Sequence, residues 1–311
     1  MFSFRSSLSS LAAALTLAFS TSGGCPASGD LAPQPVSATI PLDLGPAVEE
    51  LKLATDANLF LVEVEIDGKG PFLFSVDTGL SVRACIADDL RRELGLPRGR
   101  GMFSDDGGGR VGYQPGSRLP SVSVGGVEWK DLRVLVEDLE WLKSSEGLPI
   151  RGILGLRFFG DRTIQFDGNG GVIRLFDQRL PRQPQQQISR FRLRGGVPYC
   201  WMQAGAHNFP VLLDTGYDGG IAMPYSFRDK VLCYDQPRLT AKLRTAHGQD
   251  RKIYSARLKQ DATVAGFKMH HPPVQFLEGY RTGILGGQAL RQFVVTFDRQ
   301  GQRVHFGLPT E

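Results

Sequence analysis

The chain has 311 residues, of which 41% are hydrophobic and 22% are charged. This balance is typical of a soluble globular protein, and the length suits one large domain or two ordinary domains. The formal net charge is +4, and the Lys and Arg residues are dispersed apart from short groups such as Arg190, Arg192 and Arg194. Such a modest, scattered charge argues against a nucleic-acid-binding protein.

Residues 1–24 have the pattern of a secretory signal peptide. Arg5 precedes an apolar run at 8–19, and small residues follow up to Gly24. The run is too short to span a membrane stably, and no later segment predicts a transmembrane helix. Residues 22–25 resemble a bacterial lipoprotein processing site with Cys25 as the lipidated residue, although ordinary cleavage is the alternative because the usual Leu before it is missing. We expect an exported protein, periplasmic or extracellular, with a possible lipid anchor on Cys25.

Residues 25–50 are rich in Pro, Ala and Asp and predict a stalk or N-terminal extension. Alternating apolar residues at 59–66 and an apolar run at 72–76 then predict two strands joined by a tight turn. The second strand leads into Asp77-Thr78-Gly79, and residues 86–94 predict a short helix after it. Segment 106–113 contains Gly107, Gly108 and Gly109, but no Gly-Lys-Ser/Thr follows, so a phosphate-binding loop is disfavoured.

The second half of the chain repeats the first. Asp214-Thr215-Gly216 also closes an apolar run, and it lies 137 residues after the first copy. Each copy is followed downstream by Gly-Ile-Leu-Gly, at 152–155 and 283–286, and then by a predicted hairpin, at 163–176 and 294–306. A helix is predicted at 224–232. A repeat this long predicts a duplicated domain, with lobes at 51–177 and 191–311 and a polar linker at 178–190.

The cysteines and histidines give little sign of a metal or redox site. Cys85, Cys200 and Cys233 have no C-x-x-C spacing, and the five His residues show no ligand spacing. We expect neither a metal nor a cofactor. If one disulfide forms, the predicted pair is Cys200 with Cys233, because both lie in the second repeat.

An Asp on a sharp loop, followed by Thr and Gly, is a recognisable chemical device. Gly permits close backbone approach, and the Thr hydroxyl can hydrogen-bond across to the partner loop. If the two halves pack about a pseudo-two-fold axis, Asp77 and Asp214 meet there. Two carboxylates a few Å apart share one proton, so one acts as an acid and the other as a base. Such a pair can activate a water molecule against an amide.

With both loops and both Gly-Ile-Leu-Gly segments, the chain resembles the aspartic protease superfamily, in particular the bacterial retropepsin-like proteins. The resemblance implies a mainly β fold of two pseudo-two-fold-related, barrel-like lobes with few short helices. It implies an aspartic endopeptidase acting on a peptide or protein, with Asp77 and Asp214 as the catalytic pair. Support for the two loops would come from Thr78, Gly79, Thr215 and Gly216. Because both halves lie in one chain, a monomer should suffice.

The same resemblance places a flap over the cleft at Gly107, Gly108 and Gly109. Two residues depart from the family pattern, since Leu80 and Tyr217 follow the Asp-Thr-Gly loops where a small or hydroxyl residue is usual. Without that hydroxyl, a milder pH optimum than pepsin's is expected. The departures also favour an alternative, a catalytically silent protease-like scaffold that binds peptides or partner proteins.

Overall fold

The computed structural model describes residues 34–35, 42–105, 111–182, 188–244 and 250–309. The predicted signal peptide and Cys25 lie outside these residues. No helix in the described ranges is long and apolar enough to cross a membrane.

Strands dominate the part of the N-terminal half that is described. Two short helical elements interrupt them: the α-helix α1, Asp88–Glu93, and a 3-10 helix, Leu156–Phe159. The strands are β1 Gln34–Pro35, β2 Glu49–Lys52, β3 Leu61–Ile66, β4 Lys69–Asp77, β5 Ala84–Ala87, β6 Gly99–Asp105, β7 Val111–Val124, β8 Val127–Glu137, β9 Gly152–Gly155, β10 Thr163–Asp167 and β11 Val172–Phe176.

The described C-terminal half follows the same plan. A 3-10 helix, Tyr225–Phe227, and the α-helix α2, Gly287–Leu290, are its short helical elements. The strands are β12 Ile188–Arg190, β13 Arg192–Arg194, β14 Val197–Ala204, β15 His207–Asp214, β16 Ile221–Pro224, β17 Arg238–Arg244, β18 Asp250–Arg257, β19 Ala262–Val264, β20 Phe267–Met269, β21 Pro273–Leu277, β22 Gly283–Gly286, β23 Val294–Asp298 and β24 Arg303–Gly307.

The N-terminal lobe is a closed barrel. Its sheet runs β3-β4-β9-β5-β8-β7-β6, and pairing between β3 and β7 closes it. Closure removes the open edges that a sheet of this size would otherwise expose. The burial pattern of β3 alternates between buried and exposed residues, as the sequence alternation predicts.

The C-terminal lobe repeats this connectivity strand by strand. β15 pairs in parallel with β22 as β4 does with β9, and β16 pairs in parallel with β21 as β5 does with β8. The long strand β7 corresponds to two strands here, β18 and β19, and β14 pairs with β19 as β3 does with β7. The two lobes are therefore related by a pseudo-two-fold operation, which confirms the predicted fold class.

A six-stranded sheet joins the lobes in the order β12-β24-β23-β10-β11-β2. Its central pair, β10 and β23, comes from the two predicted hairpins and matches Phe166 with Val295. The Phe166 ring packs edge-on against Phe60 at 5.2 Å and Phe297 at 5.7 Å between ring centroids. This shared apolar core fixes the two lobes against each other.

Several local expectations need correction. Residues 84–87 form β5, so the first helix begins only at Asp88, because strand pairing with β8 and β9 takes the residues before it. In the second half only the three-residue 3-10 helix forms where a helix at 224–232 was expected. The end of the predicted linker 178–190 is not a free connection, because β12 pairs with β24.

The predicted disulfide between Cys200 and Cys233 is also wrong. All three of Cys85, Cys200 and Cys233 are free thiols. Cys200 is buried in β14 and lies opposite Val211, whereas Cys233 forms an isolated bridge with Leu258. The two cysteines therefore lie on segments that do not pair with each other.

The buried His305 should make the stability of the folded protein sensitive to acid. It is 5% exposed on β24, its Nδ1 has no hydrogen-bond partner among the described residues, and burial lowers its pKa from 6.5 to about 4. The unfolded chain binds a proton near pH 6.5 and the folded chain only near pH 4. The stability contributed by neutral His305 is therefore complete above pH 6.5 and is lost as the pH falls through 4.

We expect His305→Gln to remove this dependence. The free energy of unfolding of the wild type, relative to the variant, should fall by about 3 kcal/mol between pH 7 and pH 4. Urea unfolding at both pH values measures it, with the exposed His207→Gln as the matched control. An unchanged difference between wild type and His305→Gln across this range would contradict the assignment.

Candidate active site

The two Asp-Thr-Gly loops begin at equivalent strand ends. Asp77 ends β4 and lies opposite Gly155 of β9, and Asp214 ends β15 and lies opposite Gly286 of β22. Each loop then turns back on itself. The Leu80 amide donates to the Asp77 carbonyl oxygen, and the Tyr217 amide donates to the Asp214 carbonyl oxygen. Each apolar strand therefore places its aspartate at the equivalent position in its lobe.

The glycines of the downstream segments brace the loops. A Cβ added at Gly155 would collide with the carbonyl oxygens of Val82 and Leu80, and one added at Gly286 would collide with the carbonyl oxygens of Gly219 and Tyr217. Only a residue without a side chain lets β9 and β22 approach the loops this closely. This contact explains why Gly ends both Gly-Ile-Leu-Gly segments.

The threonines join the loops across the pseudo-two-fold axis. The Thr78 amide donates to Thr215 Oγ1 at 3.0 Å, and the Thr215 amide donates to Thr78 Oγ1 at 3.1 Å. Each hydroxyl then donates to the strand of the opposite lobe, Thr78 Oγ1 to the Leu213 carbonyl at 2.5 Å and Thr215 Oγ1 to the Val76 carbonyl at 2.7 Å. Both side chains are fully buried. Four reciprocal bonds thus lock the two loops together.

The glycines of the loops bring the carboxyls together. A Cβ added at Gly79 would lie 2.8 Å from the Asp214 carboxyl carbon, and one added at Gly216 would collide with the Asp77 carboxyl. Each carboxyl therefore packs on the opposite loop. Each also accepts a bond within its own loop, from the Gly79 amide to Asp77 Oδ1 at 2.6 Å and from the Gly216 amide to Asp214 Oδ1 at 3.0 Å.

The electrostatics favour one shared proton on this pair. Burial raises the pKa of Asp214 well above its ordinary value, and the charge of Asp77 and a hydrogen bond with it raise the pKa further. The Gly216 and Tyr217 amides act in the opposite direction without cancelling these effects. Two like charges on packed, buried carboxyls cannot both form cheaply, so the pair shares one proton.

Leu80 and Tyr217 occupy buried positions beside the loops. Leu80 is 1% exposed and Tyr217 is fully buried. The Tyr217 hydroxyl donates to Oε1 of Gln275 on β21, and its ring packs in a small apolar cluster with Ile253, Leu277 and Ile284 among others. The side chain therefore points into the lobe and binds Gln275.

One group near the pair was not predicted. Glu137, the last residue of β8, is half-buried, and burial followed by the charge of Asp77 raises its pKa to about 7. Burial and the charges of Glu137 and Asp77 also raise the pKa of the Cys85 thiol. The signal in the sequence is weak, because Glu137 is only a charged end to an apolar run. The link to Asp77 depends on sheet register, which the run does not reveal.

The predicted flap residues are not among those that the structure describes. Gly107, Gly108 and Gly109 lie outside the described residues, although the strands on either side of them, β6 and β7, pair as a hairpin. In the described ranges no group of three or more His, Cys, Asp or Glu residues could hold a metal ion.

A comparison with protein families relates part of the chain to a known family. A family model described as aspartyl protease matches residues 62–158, a segment of the N-terminal lobe that contains Asp77-Thr78-Gly79 and β9. A search of curated proteins finds no match to the chain. The family match supports a relationship to the aspartyl proteases.

Proposed function

We propose that this protein is an aspartic endopeptidase of the retropepsin-like type, with an active site built from two Asp-Thr-Gly repeats of one chain. The observation that carries the proposal is the packing of Asp77 and Asp214 on each other's loops, held by the reciprocal threonine bonds. A buried carboxyl pair that shares one proton is the acid and base that amide hydrolysis needs.

In the proposed mechanism a water molecule lies between the two carboxyls. Ionised Asp77 takes a proton from the water as its oxygen attacks the amide carbon, and Asp214 gives its proton to the carbonyl oxygen. The resulting diol then collapses. The proton on Asp77 moves to the amide nitrogen, the C–N bond breaks, and a diol hydroxyl returns a proton to Asp214.

The expected context of the enzyme completes the proposal. It acts as a monomer on a peptide or protein, without a cofactor or metal. It is exported to the periplasm or the extracellular space, with a lipid on Cys25 as an option. The predicted lobes 51–177 and 191–311 each supply one aspartate.

A binding scaffold is the second candidate, and two observations favour it. Both carboxyls are fully buried, and Leu80 and Tyr217 replace the small or hydroxyl residues that usually follow the loops. In that case the protein would bind peptides or partner proteins without cutting them.

Cleavage of a peptide library from pH 3 to 8 separates the two candidates. Peptides blocked at both ends report only internal cuts. The reactive form of the pair carries one proton and is lost as the pH rises through the raised pKa of Asp214. We therefore expect cleavage to extend toward neutral pH, with an optimum well above that of pepsin. A profile that peaks near pH 2 would contradict the assigned electrostatics, and intact peptides that nevertheless bind would favour the scaffold.

A further inference from the structure

Glu137 and Asp77 project from the same face of one sheet. Paired residues on neighbouring strands face the same side, and side chains alternate along each strand. The pairing runs from Leu135 to Cys85, from Cys85 to Ile153, and from Ile153 to Ser75. Glu137 lies two residues beyond Leu135, and Asp77 lies two residues beyond Ser75. The side chains of both residues therefore lie on the same face of this sheet, the face from which Asp77 enters the pair.

Within the part of the chain that the structure describes, no cation neutralises Glu137. No hydrogen bond or ion pair to its carboxyl occurs among the described residues, and the group that raises its pKa besides burial is Asp77. The arginine at this end of the sheet, Arg151, is already paired with Glu93 at 2.7 Å and with Asp89 at 3.6 Å. A half-buried carboxylate in such surroundings is stabilised by any cationic or hydrogen-bond-donating group that reaches it.

The other lobe lacks this feature. Glu137 lies opposite Ala87 at the end of β5, and the equivalent pair in the C-terminal lobe is Leu277 opposite Pro224. Leu277 is buried in an apolar cluster. The position equivalent to Leu135 is Gln275, which accepts the hydrogen bond from Tyr217. The position two residues beyond Leu135, on the Asp77 side, is therefore an anionic residue, whereas the equivalent position on the Asp214 side is an apolar one.

Resting on the proposed function, we infer that Glu137 forms a subsite for a cationic side chain, Lys or Arg, of the substrate on the N-terminal-lobe side of the scissile bond. The preference applies to one side of the cut only, because Leu277 stands at the equivalent position on the other side. Glu137 is thus a specificity-determining residue and takes no part in the proton transfers.

The test compares matched peptides that carry Lys or norleucine at each position flanking a cut. The measured quantity is the ratio of kcat/KM for the Lys peptide to that for the norleucine peptide, at pH 7.5. A charge-assisted hydrogen bond predicts a ratio of roughly 10 to 100 at one position for the wild type. Glu137→Gln should bring the ratio to within about threefold of unity. Glu128→Gln, an exposed glutamate at the other end of β8, should leave the wild-type ratio unchanged.

A binding measurement keeps this inference separate from the proposed function. The affinities of the same peptides are measured for Asp214→Asn and for the Asp214→Asn, Glu137→Gln double variant, neither of which has to cut. A Lys preference that disappears in the double variant supports the subsite even if no peptide is cleaved, which would reject only the proposed protease. Equal binding of both peptides, a preference that survives Glu137→Gln, or no peptide binding would overturn the subsite.

Discussion

Replacing either Asp77 or Asp214 with Asn should abolish peptide cleavage while leaving the protein folded. Asn has nearly the same shape but can neither accept the water proton nor deliver one to the carbonyl oxygen. Loss of general acid or base function predicts a fall in kcat on the order of 10³-fold or more. Because the pair acts as a unit, the double variant should be no slower than either single variant. Initial rates on one library-derived peptide, at the optimum pH, measure these effects.

Stability provides the control for that experiment. The folded-state pKa of Asp214 is raised, so the stability linked to its proton is complete below about pH 4 and is lost as the pH rises through the folded-state pKa. Asn cannot ionise, so Asp214→Asn should gain stability relative to the wild type between pH 4 and pH 8. An inactive Asp214→Asn variant that shows this gain in stability is folded, so its inactivity comes from the loss of the carboxyl pair. If a variant keeps more than a tenth of wild-type activity, the mutated aspartate is not a catalytic residue.

Thr78→Val should cause the largest loss of stability in the site. The change conserves shape but removes the hydroxyl that donates to the Leu213 carbonyl and accepts from the Thr215 amide. Both groups lie at the buried junction of the lobes, and each lost partner costs about 1–3 kcal/mol. We expect a decrease of about 2–5 kcal/mol in the free energy of unfolding, together with lower kcat because the two carboxyls are no longer held in place.

Two controls define the origin of that loss. Thr78→Ser keeps the hydroxyl and should be markedly more stable than Thr78→Val. Thr240→Val removes a hydroxyl that bonds Ser255 at 2.7 Å near the surface, and should change stability by less than about 1 kcal/mol. Urea denaturation gives all three values. Equal stability of the Val and Ser variants at position 78 would show that the reciprocal bonds do not hold the lobes together.

The sequence reveals the central part of the site because its signals are local. Asp77 and Asp214 each follow an apolar strand, and the downstream glycines must touch the loops, so both appear as short motifs with matched spacing. The two predicted hairpins likewise become β10 with β11 and β23 with β24. A repeat of such motifs predicts two similar lobes before any contact is known.

Features that depend on contacts between distant segments were not predictable. The position of Glu137 relative to Asp77 follows from the register of four strands. The inward direction of Tyr217 depends on Gln275, which lies on another strand. The first helix was predicted to start too early because strand pairing of β5 takes residues 86 and 87. The disulfide prediction was wrong for a similar reason. Two cysteines in the same repeat need not lie close together, and the sequence does not give the distance between their thiols.

The most direct test of the central claim is cleavage by an equimolar mixture of the Asp77→Asn and Asp214→Asn chains. If one chain supplies both aspartates, the wild type should cleave at a rate per chain that does not depend on protein concentration. The mixture should then remain as inactive as either variant alone. Recovery of activity on mixing would show that Asp77 of one chain works with Asp214 of another, and would contradict a site built within a single chain.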